Sequence, residues 1–146
     1  MDANDTTPVR ERAEVMAEHM TREQGKPLAE ARGEAGSAPE HIEWYAEEGR
    51  RAYGRVIPSR IPGARQIVVK EPVGPVAAFS PWNFPLAQLV RKIAGALAAG
   101  CSIIAKPPEE APSACIGRAK AFQEAGLPEG VLNILFGVPA EISERL

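Results

Sequence analysis

Three side chains in the middle of the chain have types and spacing suited to chemistry. Asn83 stands within Ser80-Pro81-Trp82-Asn83-Phe84-Pro85, where two prolines and two aromatic rings would hold its carboxamide in a stiff, apolar loop. A fixed carboxamide donor suits a developing oxyanion, because a donor that need not reorganise lowers the barrier most. The same Asn could instead cap a helix beginning near Leu86 or stabilise the turn. Lys106 and Glu109 flank Pro107-Pro108. A cation and a carboxylate on a rigid loop can grip a sugar, the carboxylate accepting from both ribose hydroxyls while the ammonium donates to one. That Glu would repel a 2′-phosphate, which favours NAD over NADP. The alternative is a surface ion pair, with the Glu favouring a helix N-terminus.

Two further cations, Arg91 and Lys92, interrupt an otherwise apolar helical stretch and could snorkel to solvent. An Arg facing a crevice would instead select substrates carrying a carboxylate. Cys101 and Cys115 form no CxxC pair, and with only His19 and His41 in the chain no metal site is expected. Both cysteines read as buried structural thiols.

These residues can act together only if the elements beneath them bring their loops to one place. Val76–Phe79, Ser102–Ala105 and Val131–Leu135 read as short strands, each leaving into an unusual loop, the third at Phe136-Gly137. Between them, Leu86, Leu89, Val90, Ile93, Ala94 and Leu97 mark one helix face. Ala111, Cys115, Ala119 and Phe122 mark another, closed by Gly126-Leu127-Pro128; Pro139 opens a last helix. Strand–helix alternation calls for right-handed crossovers and a parallel sheet, half of a doubly wound α/β fold. Open sheets of that kind bind ligands beyond the carboxyl ends of their strands. The G-x-G-x-x-G dinucleotide fingerprint is absent, so a nucleotide would bind by another route.

Upstream, Val9, Ala13, Met16, Ala17 and Met20 predict a helix over 8–24, stopped by Gly25-Lys26-Pro27. A second helix is expected from Pro39 to about Tyr53, with Ile42, Tyr45, Ala46, Gly49 and Tyr53 on its apolar face. Leu28–Ala38 could extend either one. The proline-rich stretch 55–75, around Ile67-Val68-Val69, predicts a pair of edge strands that another subunit could complete. The chain thus divides into 1–54, a helical segment, 55–75, edge strands, and 76–146, a partial nucleotide-binding domain.

With 146 residues, 45% hydrophobic and 25% charged, the chain can hold one modest core. A net charge of -2 gives no basic field for nucleic acid. The apolar stretch from Ile93 to Ala105 is too short to span a bilayer. Met1-Asp2-Ala3-Asn4-Asp5 is acidic where a secretion signal needs positive charge, so a cytoplasmic protein is expected.

Four segments carry a resemblance: Glu23-Gln24-Gly25-Lys26-Pro27 through Glu34, Pro81-Trp82-Asn83-Phe84-Pro85, Ala98-Ala99-Gly100-Cys101 through Lys106-Pro107, and Gly126-Leu127-Pro128-Glu129-Gly130-Val131-Leu132-Asn133. Together they resemble the aldehyde dehydrogenase superfamily, most of all its succinate-semialdehyde dehydrogenase branch. The resemblance implies oxidation of an aldehyde with NAD, or NADP, as cofactor. It implies Asn83 as oxyanion donor, and Phe79, Ser80, Pro81, Trp82, Lys106, Pro108, Glu109 and Gly137 along the cofactor. Arg91 falls at a substrate-tunnel position, where it could meet a distal carboxylate. Residues 55–70 resemble subunit-bridging strands, implying a homo-oligomer for the full-length family member. Family members are longer, and neither Cys101 nor Cys115 matches their nucleophile. The expectation is therefore an amino-terminal portion without its catalytic domain and without turnover of its own. The alternative is a non-catalytic remnant that binds nucleotide or docks onto other subunits.

Overall fold

A computed structural model describes residues 6–146, so the expectations that fall on Met1–Asp5 lie outside the described residues. The chain opens with α1 (Thr7–Glu11) and α2 (Ala13–Gln24), where one helix over 8–24 was expected. The break has a visible cause at Arg12. Its guanidinium donates to the Pro8 carbonyl at 3.1 Å, the group its own N–H would take in an unbroken helix, and reaches Glu124 at 2.5 Å.

The next helix, α3, runs from Leu28 to Arg50 and contains Pro39. It starts eleven residues before the expected Pro39, so Leu28–Ala38 belongs wholly to the second helix. Pro39 removes one rung of the ladder. The helix continues because Ala31, Ala35, Ala38, Pro39 and Ile42 form a buried stripe packed along α2 and the later helix Pro85–Ala98. Tyr53 lies beyond the helix end and is exposed, against its expected place on the apolar face.

Strands β1 (Arg55–Ile57) and β2 (Gln66–Val68) pair antiparallel, Arg55 opposite Val68, and every residue in them is exposed. They form the expected edge pair, standing clear of the main sheet.

The remainder alternates: β3 (Val76–Phe79), α4 (Pro85–Ala98), β4 (Ile103–Lys106), α5 (Pro112–Glu124), β5 (Leu132–Ile134) and α6 (Pro139–Ser143). The strands form one parallel sheet in the order β3-β4-β5, with Phe79 opposite Lys106 and Ile103 opposite Leu132. This is the predicted βαβαβ half of a doubly wound fold, its strand ends shifted by a residue or so. Gly100 ends α4 with φ +77°, and Cys101 N–H returns to the Ala96 carbonyl at 2.9 Å.

Leu86, Leu89, Val90 and Ile93 of α4 are fully buried with Ala78, Ile103 and Ala105 of the sheet in one core. Each such aliphatic side chain contributes roughly 1.5–3 kcal/mol by leaving water. Alternation sends Ala77 and Asn133 to the other sheet face, where both are exposed. One buried group fits this core poorly. Arg118 of α5 is fully buried, its three guanidinium nitrogens have no partner, and burial pushes its pKa down to about 10.

Candidate cofactor site at the carboxyl edge of the sheet

Register places the ends of β3 and β4 side by side, so their exit loops share one rim. Ser80 N–H extends the ladder to the Lys106 carbonyl at 3.0 Å, and Leu135 N–H reaches the Ala105 carbonyl at 2.9 Å. Between the loops lies a shallow depression of about 380 Å³. It is lined by Phe79, Ser80, Pro81, Trp82, Lys106, Pro108 and Glu109, together with Glu110 and Pro139, which sequence reasoning did not assign to a site.

Lys106 is almost fully buried at the end of β4, and its Nζ lies 2.5 Å from Glu109 Oε2. Glu109 Oε1 accepts from the Gly137 N–H at 3.4 Å, which joins the third loop to the second. Gly137 has φ +149°, a conformation side-chain-bearing residues rarely adopt. Burial works against the charged Glu109 carboxylate. Hydrogen bonds from Lys106, from its own N–H and from Gly137 outweigh that cost and hold its carboxyl below the usual range. Ser80 Oγ is buried with no hydrogen-bond partner. A paired ammonium and carboxylate lining the depression offer a donor and an acceptor to neighbouring hydroxyl groups, the chemistry that a dinucleotide's ribose presents.

Asn83 does not line this depression. It sits on the β3–α4 loop, where its carbonyl accepts from Lys26 Nζ at 2.6 Å and its carboxamide makes no hydrogen bond among the described residues. Nor does it cap α4. Glu34 Oε1 takes the Leu86 and Ala87 N–H groups, each at 2.9 Å, in its place. Arg91 is likewise outside the depression, on an exposed part of α4, where its Nε donates to His41 Nε2 at 3.1 Å. Lys92 points the other way and donates to the Phe79 carbonyl; burial lowers its pKa.

Both cysteines are buried as expected. Burial, with Glu23 and Glu34 nearby, pushes the Cys115 thiol up to about 12, so it stays protonated and unreactive. No cluster of His, Cys, Asp or Glu suited to a metal occurs among the described residues.

Lys26, Glu34, Glu23 and His41 were not singled out as acting residues. Glu23 accepts from the Ser113 N–H at 3.2 Å, as Glu34 does at α4. One signal was available for Glu34: a carboxylate at a stripe position between Ala31, Ala35 and Ala38 must find a buried partner.

Residues 6–146 match the aldehyde dehydrogenase family. The chain is 55% identical over 138 residues to 4-(hydroxymethyl)benzenesulfonate dehydrogenase TsaD1 of Comamonas testosteroni, covering 94% of this chain and 29% of that protein. It is 47% identical over 131 residues to succinate-semialdehyde dehydrogenase [NADP(+)] GabD of Escherichia coli, covering 90% and 27%. Its fold matches betaine aldehyde dehydrogenase from Staphylococcus aureus in complex with NAD+ with a TM-score of 0.88 at 35% identity, covering 94% and 27%. The chain thus spans less than a third of these relatives' length. A three-stranded parallel sheet, a paired Lys and Glu at its carboxyl edge and a match along the whole described chain lead to one conclusion: the chain belongs to the aldehyde dehydrogenase family.

Proposed function

We propose that residues 76–146 supply the adenosine-ribose half of an NAD(P) site and the oxyanion donor of an aldehyde dehydrogenase. The observation that carries this is the Lys106–Glu109 ion pair lining the carboxyl-edge depression, with Glu109 tied to the Gly137 N–H. Glu109 accepts from the ribose hydroxyls and Lys106 donates to one, while Phe79, Pro81, Trp82 and Pro108 shape the walls. NAD(P) held there would supply a hydride acceptor. Once a nucleophile from elsewhere in the enzyme has added to the aldehyde carbon, the Asn83 carboxamide would steady the negative charge formed on the former carbonyl oxygen. Arg91 would meet the distal carboxylate of succinate semialdehyde or a similar short aldehyde acid, and the exposed β1–β2 pair would bridge subunits in a homo-oligomer. A cytoplasmic setting is part of this proposal. Among the described residues no helix is long and apolar enough to cross a membrane.

The burial of Cys101 and Cys115 favours a second reading, in which this chain binds nucleotide or docks onto longer subunits but turns over no aldehyde. Titration calorimetry with NAD and NADP tests the first claim. NAD binding that weakens tenfold or more in both Lys106→Ala and Glu109→Ala supports it, and unchanged binding overturns it. NADH production by the chain alone that depends on either cysteine would remove the second.

A further inference from the structure

We propose that Lys26 and Glu34 are positioning residues for Asn83, an inference that rests on the oxyanion reading of its carboxamide. The loop's two flanks are held by one buried ion pair. Glu34 Oε2 pairs with Lys26 Nζ, the two side chains being 2% and 9% exposed. On one flank Lys26 Nζ donates to the Asn83 carbonyl at 2.6 Å and lies 4.1 Å from the centre of the Phe84 ring. On the other, Glu34 Oε1 accepts from the first two free amides of α4, Leu86 and Ala87.

This arrangement decides what the Asn83 side chain does. Phe84 is the N-cap of α4 and Leu86 its second residue, so Asn83 lies just before the cap, three residues from Leu86, which is the separation a capping side chain spans when it accepts from a backbone N–H. Pro85 offers no N–H in between. Without Glu34 the orphaned Leu86 amide would draw in the Asn83 carboxamide, since a buried unpaired donor costs more than a small loop adjustment. With Glu34 in place that duty is filled. Lys26 meanwhile fixes the peptide plane from which the carboxamide projects. The device spends two buried charges, contributed about fifty to sixty residues upstream, on leaving one amide unbonded.

The test is NMR on the nitrogen-labelled chain, with Leu86 and Ala87 amide exchange and the Asn83 side-chain amide signals as readouts. Glu34→Ala should speed Leu86 exchange about tenfold, the equivalent of one net hydrogen bond, and shift the Asn83 side-chain signals as the carboxamide turns toward Leu86. Glu34→Gln, which keeps an acceptor, should hold Leu86 exchange within about threefold of wild type. Lys26→Met should shift the Asn83 side-chain signals and Lys26→Arg should restore them. Asn83→Ala should leave Leu86 exchange unchanged in the wild-type chain and speed it further in Glu34→Ala.

If Glu34→Ala does not fold, Glu34→Gln and the two Lys26 variants decide the matter by the same signals. Faster Leu86 exchange with unmoved Asn83 signals would make Glu34 a helix cap alone and overturn the proposal. So would a wild-type chain in which Asn83→Ala alone exposes Leu86. None of these readouts involves aldehyde or NAD, so failure of the dehydrogenase reading would not move them.

Discussion

The two ends of the parallel sheet differ in a way that size alone would misjudge. The amino edge carries the larger hollow, a groove of about 720 Å³ lined mostly by apolar groups, among them Ile42, Ala46, Leu97, Cys101, Phe122 and Val131. The carboxyl edge carries a depression about half that volume, ringed by Ser80, Lys106 and Glu109. A hydrogen-bonded pair of opposite charges lines the smaller one, whereas Arg50 and Ser102 stand among apolar neighbours in the larger. Strand direction explains the contrast. Loops leaving parallel strands meet at the carboxyl ends and helix N-termini begin there, whereas at the other end helices finish and apolar stems meet. A pocket's chemistry therefore follows chain direction more closely than its volume.

Substitutions separate the two edges, beginning with the helix that backs both. Leu89→Ala in α4, at a fully buried position, should lower unfolding stability by about 2–5 kcal/mol in a urea titration, since it leaves a cavity in the shared core. Arg118→Met should act in the opposite direction. Removing a buried cation without a partner should raise stability by roughly 3 kcal/mol, the free-energy equivalent of its fall in pKa, with neither edge altered.

At the edges themselves the effects are smaller and one-sided. Ala46→Phe, filling the amino-edge groove, should leave NAD affinity within about twofold, whereas Lys106→Ala should cost about 1.5–3 kcal/mol for its charge-assisted hydrogen bonds. Calorimetry on both variants reads the difference directly. The smallest effect is on pH dependence. Because the Glu109 carboxyl is held below its ordinary value of 4.5, its contribution is complete above that value and is lost as pH falls through the lowered one. Glu109→Gln should therefore flatten the acid limb of a stability-versus-pH curve. Its half-exposed side chain keeps that change small.

Local pattern revealed the parts of the molecule in which each residue answers to its neighbours. The apolar period of 86–97 and the Gly-then-Pro stop at 25–27 were readable because they depend on residues a few positions apart. The approach of residues 79–82 to the 106–109 loop followed from topology once the strands were recognised, whereas the expected place of Asn83 on the same rim did not hold. What stayed hidden depends on partners far along the chain. Pro39 inside α3 is tolerated because the stripe around it is buried, which local propensity cannot report. The helix break at Arg12 involves Glu124, over a hundred residues away. The α4 cap comes from Glu34 rather than the nearby Asn83 for the same reason. Arg91 meeting His41 depends on how α3 and α4 lie together, which no spacing within either helix states.

The central claim is that the carboxyl edge, and not the larger apolar groove, receives the dinucleotide. Adding NAD to the nitrogen-labelled chain and following backbone amide shifts tests it most directly. The account predicts movement at Ser80, Lys106, Glu109 and Gly137 with Ala46, Leu97 and Phe122 unmoved. Shifts confined to the latter three would contradict it.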